Sequence, residues 1–361
     1  MPRTPRREIF DGSTIGIYHC TNRCVRQAFL CGPDPATGRS FDHRRQWVQD
    51  RLEELASIFA IDHLNFSVMQ NHLHVLLRNR PDIRDAWSPE EVVGRWWRLF
   101  PQRRDDQGRP AEMTAQERKA FLDQPEWIAE RRQRLGDISW FMRCLDEHIA
   151  KRANAEEGIT SRFWQGRFKA QRILDECGLL ACAMYIDLNP IRARLAETPE
   201  TSCYTSVFER IMARTEQATQ AAEVPQDATG EAVEVMANLP GARDGWLSPV
   251  ALAEASAEEP LPQRRASNRG YLPMTFEEYL ALLDWTGREI RSDKRGSIPV
   301  GLSPILERLG INGEVWVEAV KNFGRWFRTV VGRAESVVKE AARRGRRYLQ
   351  GVSHCRLAFV T

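Results

Sequence analysis

The chain of 361 residues has no continuous apolar run near the ~20 residues that a bilayer-spanning helix needs. Behind the basic N-terminal stretch Met1-Pro2-Arg3-Thr4-Pro5-Arg6-Arg7-Glu8 there is no apolar core, so no secretion signal is read and a cytoplasmic protein is expected. Its eight cysteines include no Cys-x-x-Cys pair, which argues against a disulfide framework. Cys20, Cys24 and Cys31, with His19 nearby, depart from standard zinc-ligand spacing and read as free thiols. No glycine-rich nucleotide-binding loop is visible. The net charge of only +3 does not announce a polyanion binder.

The distribution of charge says more than its sum. Residues 200–263 carry 11 acidic and 3 basic side chains, whereas residues 321–350 carry 9 basic and 2 acidic ones. The first stretch is rich in Ala, Glu, Pro and Gln and poor in aromatics, so 206–269 is expected to be an acidic flexible linker. The second reads either as a solvated helix face or as a surface for a polyanion, with Arg325 and Arg328 as candidate DNA contacts.

Hydrophobic periodicity predicts strands over Ile15–Thr21, His63–Met69, His72–Leu77 and Arg167–Leu174. Helices are expected over Asp42–Phe59, Ile138–Ala155 and Glu176–Leu188, the last closed by Pro190. The order β-α-β-β-α-β-α fits a ferredoxin-like α+β sandwich, an antiparallel sheet with helices on one face. Residues 80–137 break this pattern with five prolines and read as a helical insertion. Trp96, Trp97, Arg95 and Arg98 within it suit either a small subdomain core or a base-stacking surface. A capping box at Thr275 and Glu278 opens a helix beyond the linker. Further helices at Pro304–Leu309 and Gly313–Arg347 complete a small basic all-helical domain over 270–361.

The octet Gln70-Asn71-His72-Leu73-His74-Val75-Leu76-Leu77 carries the chemistry. Alternation on a strand puts His72 and His74 on one face, with Leu73 and Val75 in the core behind. Two imidazoles side by side make half of a divalent-metal site. Tyr185 and Asn189 stand four apart in Tyr185-Ile186-Asp187-Leu188-Asn189-Pro190 and share a helical face, although Pro190 favours a helix end at Asn189. His19 reads either as lining the same sheet face or, the favoured reading, as a plain strand histidine; Asp187 reads either as tuning Tyr185 or, the favoured reading, as a solvated carboxylate.

These blocks, with Tyr18-His19-Cys20-Thr21-Asn22-Arg23 and Phe163-Trp164-Gln165-Gly166-Arg167-Phe168, resemble the HUH-type single-tyrosine transposases of bacterial insertion sequences. Among those, the REP-associated tyrosine transposases are the nearest in pattern. The blocks occur in the family's order and span residues 14–200. Typical members read Met-Pro-Asn where this chain has Met69-Gln70-Asn71, and often Tyr at Phe168. The resemblance implies a catalytic domain over 1–205, with Tyr185 as nucleophile. It implies metal binding by His72, His74 and a neutral third ligand at the position of Asn189, with Mg or Mn as the metal. It also implies single-stranded or hairpin DNA as partner, DNA contacts at Arg167 and Lys169, and in some members a homodimer. The activity expected is DNA cleavage and rejoining through a 5′-phosphotyrosine link. The alternative is a catalytically silent regulator that binds nucleic acid with the same fold.

Overall fold

The computed structural model describes residues 5–25, 30–34, 37–223, 243–252, 264–290 and 313–359. In chain order these form α1 (Arg6–Ile9), β1 (Gly16–Arg23), α2 (Arg44–Ala56), β2 (Ile61–Val68), β3 (His72–Asn79), α3 (Pro81–Ala86), α4 (Pro89–Leu99), α5 (Ala115–Leu122), α6 (Pro125–Leu135), α7 (Ile138–Glu157) and β4 (Lys169–Ile173). They continue as α8 (Glu176–Asp187), α9 (Asn189–Arg192), α10 (Ser206–Glu223), α11 (Phe276–Ile290), α12 (Gly313–Lys321), α13 (Phe323–Trp326), β5 (Val330–Val331), α14 (Ala334–Arg343) and α15 (Val352–Ala358). The expected helix at Pro304–Leu309 lies outside the described residues.

The sheet has the order β2-β3-β1-β4-β5. β1, β2, β3 and β4 pair antiparallel, and β5 adds to β4 in parallel. Gln70 and Asn71 form the tight β2–β3 connection, closed by Met69 N donating to His72 O over 2.9 Å.

Alternation along the strands divides the apolar residues between two cores. Tyr18, Cys20, Leu73, Val75 and Leu77 face α2 and α7, and the Trp-rich insertion α3–α6 extends that core. Leu76 and Ile173 face α8 and the C-terminal residues on the other side. Helices therefore cover both faces, not one. The cause is α8, a helix apolar nearly all round. Such a helix cannot present a solvent face, and it is sandwiched between the sheet and the C-terminal residues.

The expected linker is largely structured where it is described. Ser206–Glu223 is α10, and Trp246 is fully buried against His63 and Phe66, with ring centroids 5.5 and 5.1 Å away. Arg210 donates to Leu64 O (2.6 Å) and Ser248 O (3.0 Å), and Arg78 donates to Arg269 O (2.6 Å). A stretch rich in Ala, Glu, Pro and Gln with few aromatics reads as unfolded, but one buried tryptophan and backbone-capping arginines tie it down when a finished sheet offers the partners.

The C-terminal residues likewise do not form a separate core. Trp316, Phe323, Phe327 and Val330 join α8 in the second core, and Val330–Val331 extend the sheet. The expected single helix over Gly313–Arg347 is broken into α12, α13, β5 and α14. Asp175 holds the junction between β5 and α14. Its carboxylate caps α8 by accepting from Gly178 N (3.0 Å), and it also accepts from Arg333 N (2.5 Å) just past β5. Gly178 makes this contact possible, because a Cβ there would lie 2.8 Å from Val331 O.

The capping box at α11 forms as expected, with Thr275 Oγ1 accepting from Glu278 N (3.1 Å) and Thr275 N donating to Glu278 Oε2 (2.8 Å). Among the described residues no helix is long and apolar enough to cross a membrane.

Candidate active site

β3 directs His72 and His74 to the face that α8 covers, and Thr21 of β1 pairs with His74 in register. His72 Nδ1 lies 2.7 Å from Asn71 Oδ1. His74 is 4 % exposed; its Nδ1 lies 2.9 Å from His19 Nε2, and its Nε2 is buried without a partner. His19 Nδ1 in turn lies 3.3 Å from Gln171 Oε1 on β4. His19 is thus no isolated strand histidine. Its participation depends on which strands are neighbours, and no local pattern encodes that.

α8 brings Tyr185 over the pair. Its ring centroid lies 5.4 Å from that of His74 and 6.0 Å from that of His19. Phe323 of α13 stacks on it with ring centroids 5.0 Å apart and also lies 6.1 Å from His19, and the Arg192 guanidinium carbon sits 4.9 Å from the Tyr185 ring centroid. Arg192 is held there by donating to Lys321 O over 2.7 Å.

Electrostatics follow from burial. Desolvation holds His72 down at about 4, with Arg23 adding to the effect, and His19 also at about 4. His74 is pushed well below its ordinary value by burial first and by neighbouring His72, His19 and Arg192 after it. All three imidazoles are therefore neutral near pH 7. Burial raises the Tyr185 phenol above 10, and Arg192 opposes the rise by charge and hydrogen bonding.

These groups open on a cleft of about 300 Å³ lined by His19, Arg23, His72, His74, Gln165, Arg167, Lys169, Tyr185, Phe327 and Arg328, among others. None of the described residues lining it is a carboxylate, so the cleft presents cations and neutral donors to its contents. The Phe163–Phe168 block is fastened to the end of β1: Val25 N donates to Phe163 O (3.0 Å) and Gln165 N to Arg23 O (2.8 Å). That fastening aims Arg167 and Lys169 at the cleft.

The structure therefore brings together His72, His74, Tyr185, Arg167, Lys169 and Arg328. It does not put Arg325 or Asn189 among the lining residues. Arg325 is exposed on α13. Asn189 opens α9 after a break at Leu188, and its Nδ2 is buried without a partner. Asp187 is fully buried rather than solvated. It accepts from Asn65 Nδ2 (2.8 Å), Ser206 Oγ (2.5 Å) and Tyr279 Oη (2.7 Å), which ties α8 to β2, α10 and α11. Arg23, Gln171 and Phe323 also belong to the site, and only Arg23 stood inside a recognisable block. Among the described residues no three His, Cys, Asp or Glu side chains cluster as a metal site.

No protein-family model matches the chain, and no curated protein sequence does. The chain is similar to a solved structure of a REP-associated tyrosine transposase bound to a REP hairpin, with 15 % identity and a TM-score of 0.34. That similarity covers 64 % of this chain and 92 % of the other.

Proposed function

We propose that the protein is a tyrosine transposase, a metal-dependent single-strand DNA endonuclease and strand-transferase acting on hairpin-bearing DNA. The observation that carries this reading is Tyr185 lying 5.4 Å, ring to ring, from His74 in a cleft lined by Arg23, Arg167, Lys169 and Arg328. The strand order β2-β3-β1-β4 supports a ferredoxin-like sandwich beneath it. Tyr185 and the histidine pair meet within one chain, so the reading needs no second protomer.

The residues fit a divalent cation in their donor chemistry. His74 offers a buried Nε2 with no partner, and both imidazoles are neutral, the form that ligates metal. His72 and His74 would hold the ion; Asn189, the third donor that the family resemblance implies, opens α9 outside the residues lining the cleft. When bound, Mg or Mn supplies Lewis-acid polarisation of a phosphodiester.

The chain's own residues do the rest. Arg23, Arg167, Lys169 and Arg328 bind phosphates and hold the strand. The Tyr185 oxygen attacks phosphorus, the P–O3′ bond breaks, and the phenol's proton ends on the departing 3′-oxygen. A 5′-phosphotyrosine and a free 3′-OH result. Attack on that link by a 3′-OH rejoins DNA and restores the tyrosine, so no external energy source is consumed. Arg192 steadies the phenol as it loses its proton.

The test is incubation of the full chain with labelled single-stranded hairpin DNA and Mn²⁺, followed by a denaturing gel. A covalent adduct that is lost in His72→Ala and His74→Ala is expected. Tight hairpin binding with no adduct at any metal concentration would favour the silent regulator.

A further inference from the structure

Three buried side chains on three neighbouring strands form one hydrogen-bonded line. Gln171 of β4 faces His19 of β1 directly in register, and His74 of β3 stands diagonal to His19, opposite Thr21. His19 and Gln171 are each 5 % exposed. Solvent therefore does not supply the partners of His19, whose two ring nitrogens depend on Gln171 and His74. We propose that His19 is a positioning residue that sets the tautomer of His74, with Gln171 as its anchor. The proposal deepens the metal-assisted reading of the cleft and rests on it.

The polarity of the line follows from its first atom. Gln171 turns Oε1 to His19 Nδ1 over 3.3 Å and leaves its own Nε2 buried without a partner; in that orientation the oxygen carries no proton and His19 Nδ1 donates. A neutral imidazole has one N–H, which leaves His19 Nε2 as a lone pair. The 2.9 Å contact to His74 Nδ1 then requires His74 to donate from Nδ1. His74 Nε2 is left as a lone pair, buried and without a protein donor. A cation satisfies such an atom. His72 reaches the same state by another route, because its Nδ1 lies 2.7 Å from Asn71 Oδ1 and its Nε2 is freed. A local amide sets the tautomer of one imidazole, and a relay across two strands sets that of the other. Groups that fix a ligand's tautomer in this way typically change metal affinity by about 10–100-fold when removed.

The experiment uses the full chain labelled with ¹⁵N-histidine. Two-bond ¹H–¹⁵N spectra without metal read the tautomer of each imidazole, and Mn²⁺ titration followed by EPR reads affinity. His74 protonated at Nδ1 is expected in the wild type. His19→Phe removes the acceptor and should give mixed His74 tautomers with a roughly tenfold or greater loss of Mn²⁺ affinity. His19→Gln keeps a carbonyl oxygen for His74 Nδ1–H and should retain both tautomer and affinity. Gln171→Leu disturbs the core less than His19→Phe, should move both readouts in the same direction, and decides the matter if His19→Phe does not fold. A wild-type His74 protonated at Nε2 would overturn the proposal, as would unchanged tautomer and affinity in both Phe and Leu variants. If wild type binds no Mn²⁺ while the tautomers shift as described, the relay stands and the metal-assisted reading falls.

Discussion

Phe323 lies against Tyr185 with ring centroids 5.0 Å apart and planes 24° from parallel. A residue from the last fifth of the chain thus roofs the proposed nucleophile. Burial is the first cause of the raised Tyr185 phenol, and Phe323 contributes to that burial. Phe323→Leu should therefore bring the phenol back toward 10 while costing about 1–2 kcal/mol of stability. ¹³Cζ-tyrosine NMR titration reads the first effect and chemical denaturation the second. A phenol that titrates still higher in the variant would contradict this account.

Tyr185→Phe removes one oxygen and keeps the ring against Phe323 and His74. Hairpin binding should persist within a few-fold, and the covalent adduct should vanish. Adduct formation at the wild-type rate would take Tyr185 out of the mechanism.

Arg328 lines the cleft, whereas Arg343 and Arg344 are each engaged with Glu340 at 2.7 Å and Arg346 pairs with Glu8 at 3.1 Å. The C-terminal basic run is thus partly neutralised within the fold. Arg328→Gln should flatten the slope of log affinity against log salt by about 0.7 for a single strand. Arg343→Gln should leave that slope unchanged. Equal effects from both would mean that the strand also follows the outer surface of α14.

What was legible in the sequence was local. Alternation at His72-Leu73-His74 gives their shared face, and the blocks around Tyr185 and Arg167 point to one site. Two kinds of information were not legible. His19 and Gln171 act through strand adjacency, which periodicity within one strand does not encode. The stretch 206–269 read as a flexible acidic linker because it is rich in Ala, Glu, Pro and Gln and poor in aromatics, yet Trp246 and Arg210 find partners along β2 that the local sequence does not encode. The C-terminal run kept helical spacing through Val330, but a sheet edge at β4 and the grip of Asp175 on Arg333 N outweighed that local preference.

Trp246 tests the corrected reading of that stretch. Trp246→Ala should destabilise the whole protein by about 3–5 kcal/mol, the range for removing a large buried aromatic. A true linker residue would cost nearly nothing, so a change below about 0.5 kcal/mol in denaturant unfolding would return the stretch to linker status.

Asp146 predicts a pH dependence. Burial raises its carboxyl from 3.8 to about 7, only partly offset by the 2.8 Å hydrogen bond from Asn22 Nδ2. The folded state holds its proton more tightly than the unfolded state. Its contribution is therefore fully present below about 4 and is lost as pH rises through about 7. Asp146→Asn removes the buried charge and should raise stability at pH 8 by on the order of 2–4 kcal/mol, with little change at pH 4. Denaturant midpoints across that interval check the sign.

The grip of Asp175 on Arg333 N and the stacking of Phe323 on Tyr185 have a genetic consequence. A ribosome delivers Tyr185 on the order of ten seconds before Phe323, at ordinary elongation rates. During that interval the nascent chain holds Tyr185 without the Phe323 ring against it and its sheet one strand short. A frameshift shortly before codon 313 leaves the codons for His72, His74 and Tyr185 intact, yet it should silence the gene as fully as one ahead of codon 185.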